Sequence, residues 1–183
     1  MYSTAGDNLR RQVSHSLNFQ ASGNPYWSQD IGGFFRPAGQ YHDPDYHLLL
    51  LRWFQFGAFT PIFRTHGAAT NTELWHFGER TTADVVASAI HPRYRLLPYT
   101  YSGFRRVEAS GWTMQRMLAF DWPEDEVARR IADQFMFGEA LMVAPMVGAS
   151  GAREVYLPAV MGGWHGGTEG ADQAPPTHQA PLK

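Results

Sequence analysis

The sequence predicts an α/β fold with parallel strands, followed by a stretch of β character. Three observations carry this reading. Helical and strand-like periods alternate along the first part in the order helix, strand, helix, strand, helix, with short connections. After Trp112 the pattern changes to short apolar runs that read as strands. From Gly162 onward the chain is rich in Gly and Pro and poor in apolar residues, which predicts loop or disorder.

The elements follow in order. Leu9, Val13 and Leu17 recur every fourth residue between polar positions, which is one face of an amphipathic helix. Ser22, Gly23, Asn24 and Pro25 break it. Residues 26–31 read as a strand that ends in a turn from Asp30 to Gly33, and residues 36–43 as loop. Asp43, Pro44 and Asp45 form a helix start: a capping carboxylate, Pro at the first helical position and a second acid in the first turn. Tyr46, Leu49, Leu50, Trp53 and Phe54 make the apolar face of that helix, and Gly57 its stop. Residues 60–67 read as a second strand whose period of two puts Ile62, Arg64 and His66 on one side. A helix is predicted over 82–109, broken at Pro92 and Pro98 and closed by Gly111. Beyond it, strands are predicted in "TMQRMLAF" and "ALMVAPMV", around a short helix over 124–137.

Composition excludes several classes of function. A chain of 183 residues, 44% hydrophobic and 17% charged, suffices for one domain with a sizeable core and is not of disordered type. A net charge of −2 carries no electrostatic signal for nucleic acid or an anionic membrane. No apolar run reaches the ~18 residues of a spanning helix, so no membrane segment is expected. With no Cys, disulfides, thiol chemistry and sulfur-ligated zinc are excluded, and the redox compartment is left open. The N-terminus lacks the basic and apolar regions of a signal peptide, and localisation is unknown. Six Trp are abundant, as in sites that cover sugar rings, although ordinary cores use them too.

In α/β folds, reactive groups sit just past the C-terminal ends of strands. Two such ends carry polar residues: Asp30 on the first, Arg64 and His66 on the second. A carboxylate, a guanidinium and an imidazole there can grip vicinal hydroxyls, each donating to Asp30 and accepting from Arg64 or His66. Trp27 and Phe34 would cover the apolar face of the ring. Each residue also has a plainer reading. An Asp before Gly-Gly commonly forms an Asx-turn, and a lone Arg or His on a strand face is more often a satisfied structural group. The eight His include no H-x-x-x-H or H-E-x-x-H pattern; His42, His47 and His76 read as lone surface residues, and no metal site is expected. A phosphate-binding glycine loop and a G-x-S-x-G nucleophile elbow are both absent.

Taken together, several blocks resemble glycoside hydrolase family 31, the retaining α-glycosidases that include α-glucosidases and α-xylosidases. They are "LRRQV", "LNF", "SGNPYWSQDIGGFF", "LLRWFQFGAFTPIFRTHG", "TELWHFG", "RYRLLPYTYS", "DQFMFGEALMVAPMV" and "VYLP", in that order up to Pro158. "TELWHFG" after "FRTHG" resembles most the bacterial α-xylosidase branch. The resemblance implies the C-terminal portion of a (β/α)8 TIM barrel, about strands 7–8, plus the start of a C-terminal β-rich domain. The implied domains are 1–111 for the barrel part, 112–161 for the β-rich region and 162–183 for the tail. It also implies that Asp30, Phe34, Arg64 and His66 line the sugar pocket, the same residues that the strand-end argument singles out. The implied partner is a carbohydrate, an α-xyloside or α-glucoside, with no cofactor.

The departures from the family matter as much. Retaining hydrolysis needs a nucleophilic carboxylate and a second carboxyl acting as acid, then base. The family's nucleophile lies on strand four, and no segment here matches that block. Its acid/base Asp falls, by gap-free counting, at or just before Met1; Asp7 fits only with a deletion and otherwise reads as an ordinary Asp near a helix start. A complete barrel needs about 250 residues. The expectation is therefore a fragment, inactive alone, whose further partner is the missing N-terminal part of the enzyme. The alternative is a non-catalytic remnant, inactive alone, that binds sugar weakly or not at all.

Overall fold

The computed structural model describes the backbone of residues 2–68, 70–148 and 151–166, with side chains from Asp7 onward. The predicted disorder of the tail falls outside the described residues beyond Gly166.

The first helix, α1 (Tyr2–Ala21), buries Leu9, Val13 and Leu17, the face its periodicity marks. The second, α2 (Pro44–Gly57), starts where the sequence indicates: Asp43 Oδ1 accepts from the backbone N–H groups of Asp45 at 2.9 Å and Tyr46 at 3.3 Å. Its face of Tyr46, Leu49, Leu50, Trp53 and Phe54 is buried, along with Phe56. At the helix end, a Cβ on Gly57 would stand 2.7 Å from Ile31 Cδ1, so glycine there lets α2 close onto the first extended segment.

After a 3-10 turn at Leu74–Phe77, the predicted 82–109 helix is an interrupted run. It comprises α3 (Gly78–Val85), a π turn over Val86–Ile90, α4 (His91–Arg95) and α5 (Leu97–Ser110). The interruptions fall at Pro92 and Pro98, which bring no N–H to the helical ladder. Gly111, at φ 67°, closes α5 in the left-handed conformation and donates its N–H to Val107 O at 2.9 Å.

Two expectations are corrected. The predicted parallel strands are extended but are not full strands; the pair shares a single parallel bridge, Ile31 with Thr65. The parallel direction agrees with the sequence, but within the described residues neither segment has a second strand neighbour to lengthen its ladder. The second correction lies after Trp112. Strand β1 (Gln115–Met117) is followed by α6 (Leu118–Asp121), and the predicted helix over 124–137 reduces to a 3-10 turn at Ala128–Arg130. Phe135–Phe137 is instead the central strand β2, antiparallel to β1 and to β3 (Leu141–Val143).

This small sheet obeys the two-residue period. Phe135, Phe137 and Val143 join the main core of α1 and α2, while Met136 and Met142 face a second cluster with Leu118, Ala128 and Trp164. Polar groups pin β1 to α1: Gln115 Nε2 donates to Ser16 Oγ at 3.1 Å, and Gln20 Nε2 donates to Gln115 Oε1. Thr113 Oγ1 donates to Gln20 Oε1 at 3.0 Å. Among the described residues no helix is long and apolar enough to cross a membrane.

Candidate functional site

The site grows from the two extended segments, 26–35 and 62–68. Ile62 N donates to Trp27 O at 3.1 Å, and Ala68 N donates to Phe34 O at 2.8 Å, on either side of the Ile31–Thr65 bridge. The first segment ends in the predicted turn, with Gly33 N donating to Asp30 O at 2.7 Å. Gly32 at φ 90° and Gly33 at φ 89° supply backbone conformations that side chains with a Cβ rarely adopt. Alternation then decides what each segment presents. Ile62, Arg64 and His66 are exposed, while Phe63 and Thr65 between them are half-buried.

Arg64 lies across the first segment. Its Nη2 meets Asp30 Oδ1 at 3.0 Å, and its Nε donates to Ser28 Oγ at 2.9 Å. The Phe34 ring stands 5.6 Å from the His66 ring, and Phe35 abuts Phe34 edge-on at 4.8 Å. Thus Asp30 is brought to Arg64 and Phe34 to His66, with Arg64 and His66 two residues apart on one exposed edge. The Arg64 and Asp30 side chains are 46% and 24% exposed, so their ion pair is weak enough for a ligand hydroxyl to insert. Among the described residues, Asp30 Oδ2 and Arg64 Nη1 make no hydrogen bond, one being an acceptor and the other a donor.

Two predicted site residues stand apart. Trp27 faces the other way, its ring 5.1 Å from Phe19 of α1, and its buried Nε1 has no partner among the described residues. Asp7 is exposed on the second turn of α1, with no hydrogen bond or ion pair among the described residues.

Three contributors escape the sequence reading. Ser28 shares the alternation of Asp30, so the period of two was a usable signal for it. Arg36, in the predicted loop, donates through Nη2 to Ile31 O at 2.6 Å and through Nε to Gly33 O at 3.1 Å. Tyr46 of α2 donates its hydroxyl to Gly32 O at 2.9 Å. Burial pushes this phenol up to about 12, although the nearby Arg36 charge pulls it down. No local pattern announces either of these two contacts.

A mostly apolar cleft of about 120 Å³ lies behind the turn, between α1 and α2, lined by Asn8, Gly32, Gly33, Phe35, Tyr46 and Trp53 among others; Asp30, Arg64 and His66 do not line it. No group of three or more His, Asp or Glu suited to a metal ion occurs among the described residues.

An acid, a guanidinium, an imidazole and an aromatic ring thus lie along the ends of two parallel segments, and comparison with known proteins gives the chain a family. The Glycosyl hydrolases family 31 TIM-barrel domain matches residues 2–103, and the Glycosyl hydrolase family 31 C-terminal domain matches residues 111–182. The chain belongs to glycosyl hydrolase family 31. It is 39% identical over 152 residues to an alpha-xylosidase of Saccharolobus solfataricus, covering 82% of this chain and 20% of that protein. A probable glucan 1,3-alpha-glucosidase of Oryza sativa subsp. japonica is 38% identical, over 83% of this chain and 16% of its own length. Among solved structures, a family 31 alpha-xylosidase from Xanthomonas citri superposes with a TM-score of 0.76 at 39% identity, covering 85% of this chain and 18% of that one. A family 31 alpha-xylosidase from a soil metagenome, complexed with xylose, gives 0.67 at 35% identity, over 75% of this chain and 23% of its own. The chain thus spans about a fifth or less of the length of these curated relatives.

Proposed function

We propose that this chain forms one wall of the sugar site of a glycoside hydrolase acting on α-xylosides or α-glucosides with retention. Asp30, Arg64 and His66 hold ring hydroxyls, Phe34 covers an apolar sugar face, and Trp27 braces the first segment from its far side. The observation that carries this is the Asp30–Arg64 pair beside the Phe34–His66 contact, at the ends of two parallel segments inside the matched barrel domain. The names of the relatives, α-xylosidases and α-glucosidases, support the substrate class.

Retention needs two carboxyl groups about 5–5.5 Å apart, one the nucleophile and one the acid and base. Asp30 is the one carboxylate in the described edge, and Arg64 pairs with its Oδ1, so this one carboxyl does not supply the two that retention needs. In this reading residues 1–111 supply barrel structure and sugar contacts, residues 112–161 begin the β-rich domain, and both catalytic carboxylates come from outside this chain. The chain alone then binds sugar and does not turn it over.

The test pairs binding with turnover. Xylose and glucose binding to the purified chain is followed by ligand-observed NMR, and hydrolysis of p-nitrophenyl α-xyloside and α-glucoside by absorbance. Binding that Arg64→Ala abolishes, without turnover, is the expected result. Failure of the folded chain to bind either sugar overturns the sugar-site reading. Turnover lost in Asp7→Asn would instead place the acid/base on Asp7.

A further inference from the structure

We propose that Arg36 is the positioning residue of this site: its guanidinium ties the two segment ends together and sets where His66 and Arg64 stand relative to Asp30. As a statement about sugar, this rests on the sugar-site reading above; as a statement about geometry, it stands alone.

Three contacts define the clasp. Arg36 Nη2 donates to Ile31 O at 2.6 Å and Nε to Gly33 O at 3.1 Å, so two bonds grip the turn that follows Asp30. The same Nη2 reaches His66 O at 3.4 Å, on the second segment. One planar group therefore spans both ends, next to segments paired, among the described residues, by the Ile31–Thr65 bridge and two flanking backbone bonds, Ile62 N to Trp27 O and Ala68 N to Phe34 O. So short a pairing is marginal by itself, and the Arg36 contacts add side-chain bonds at the turn and at His66 O, next to the Ala68–Phe34 backbone bond.

Both ends also make room for the guanidinium. A Cβ on Gly32 would lie 2.9 Å from Arg36 Nη2, and a Cβ on Gly67 would lie 3.2 Å from Arg36 Nε. Glycine thus occurs on each segment where the clasp passes. Tyr46 holds the turn through Gly32 O, leaving Ile31 O and Gly33 O to Arg36. Among the described residues no carboxylate pairs with Arg36, so its charge-assisted bonds go to carbonyls. A forked donor set at fixed angles suits this task, and the single ammonium of a lysine does not reproduce it.

A plain brace of the loop would serve stability alone. The positioning role makes further demands, and it is tested on the 183-residue chain. Arg36→Ala and Arg36→Lys are compared with the native chain by thermal unfolding, by NMR of the His66 imidazole and Phe34 ring, and by titration with xylose. The expected result is shifted His66 and Phe34 resonances and xylose binding about tenfold weaker in both variants. Millimolar methylguanidine, filling the vacated place in Arg36→Ala, restores the resonances and the affinity. Should Arg36→Ala not fold, Arg36→Lys supplies the same readouts. Native His66 resonances and native affinity in a folded variant overturn the proposal, as does full restoration by lysine. A native chain that binds no xylose sinks the sugar-site reading instead. The His66 and Phe34 resonances then still decide whether Arg36 sets the geometry.

Discussion

The β1–β3 sheet and the paired segments 26–35 and 62–68 are both short extended structures, yet they are held in different ways. The sheet has a continuous antiparallel ladder, with a hydrophobic cluster on either face and the buried Gln20–Gln115–Ser16 network at its edge. Among the described residues the segments have one bridge with a backbone bond on either side and an exposed polar edge, and arginines bind carbonyls in them and just before the second. Arg36 clasps the C-terminal ends. Arg93 of α4 seats the other end, donating to Ala58 O at 3.0 Å, Thr60 O at 2.6 Å and Pro61 O at 3.0 Å. Where a core covers both faces, packing sets the geometry. Where one face is left exposed, directional bonds from side chains stand in for the missing packing.

Mutations can break or sharpen that contrast. The largest effect belongs to the sheet. Phe137 is fully buried, and its ring meets Phe59 edge-on at 5.8 Å. Phe137→Ala is expected to cost about 3–5 kcal/mol by leaving a cavity in the main core. Urea unfolding should show a lower midpoint, and an unchanged midpoint would mean that the sheet contributes little to the fold.

Next comes the arginine seat. Burial pulls the Arg93 guanidinium below its ordinary range, but it remains the donor to three carbonyls. Arg93→Met keeps the bulk, removes the donors and is expected to cost about 2–3 kcal/mol. Amide hydrogen exchange should rise first in 58–68 and not in the sheet. Uniform loss of protection would erase the distinction between the two regions.

The smallest effect is at Tyr46. Tyr46→Phe deletes one bond to Gly32 O and is expected to cost about 1 kcal/mol. The pH dependence has a defined sign. An unfolded tyrosine ionises near about 10, whereas burial holds the folded phenol neutral up to about 12. Its stabilising share is complete below the unfolded value and fades as pH climbs through the folded one. Unfolding measured across that window should decline less steeply in Tyr46→Phe, and identical slopes would count against a buried phenol.

Much of this organisation is legible along the chain. The buried faces of α1 and α2 follow from a period near 3.6. The Asp43–Pro44 start and the Gly111 stop follow from capping chemistry that needs only neighbouring residues. Asp30, Arg64 and His66 could be picked out because strand ends are where α/β folds place polar ligand groups. Phe135, Met136 and Phe137 could not be assigned from the chain, since a short apolar run suits a buried helix or a buried strand equally. Its ladder partners, β1 and β3, decide the matter.

The sequence by itself therefore determined the periodic helices, their caps, the parallel sense of the two segments and the exposed alternation of Ile62, Arg64 and His66. These depend on bonds and patterns that close within a few residues. Only the tertiary structure decided that Phe135–Phe137 is a strand, that Trp27 turns toward α1, and that Arg36 spans both segment ends. Each of those depends on groups far apart in the chain, whose meeting is set by the fold as a whole.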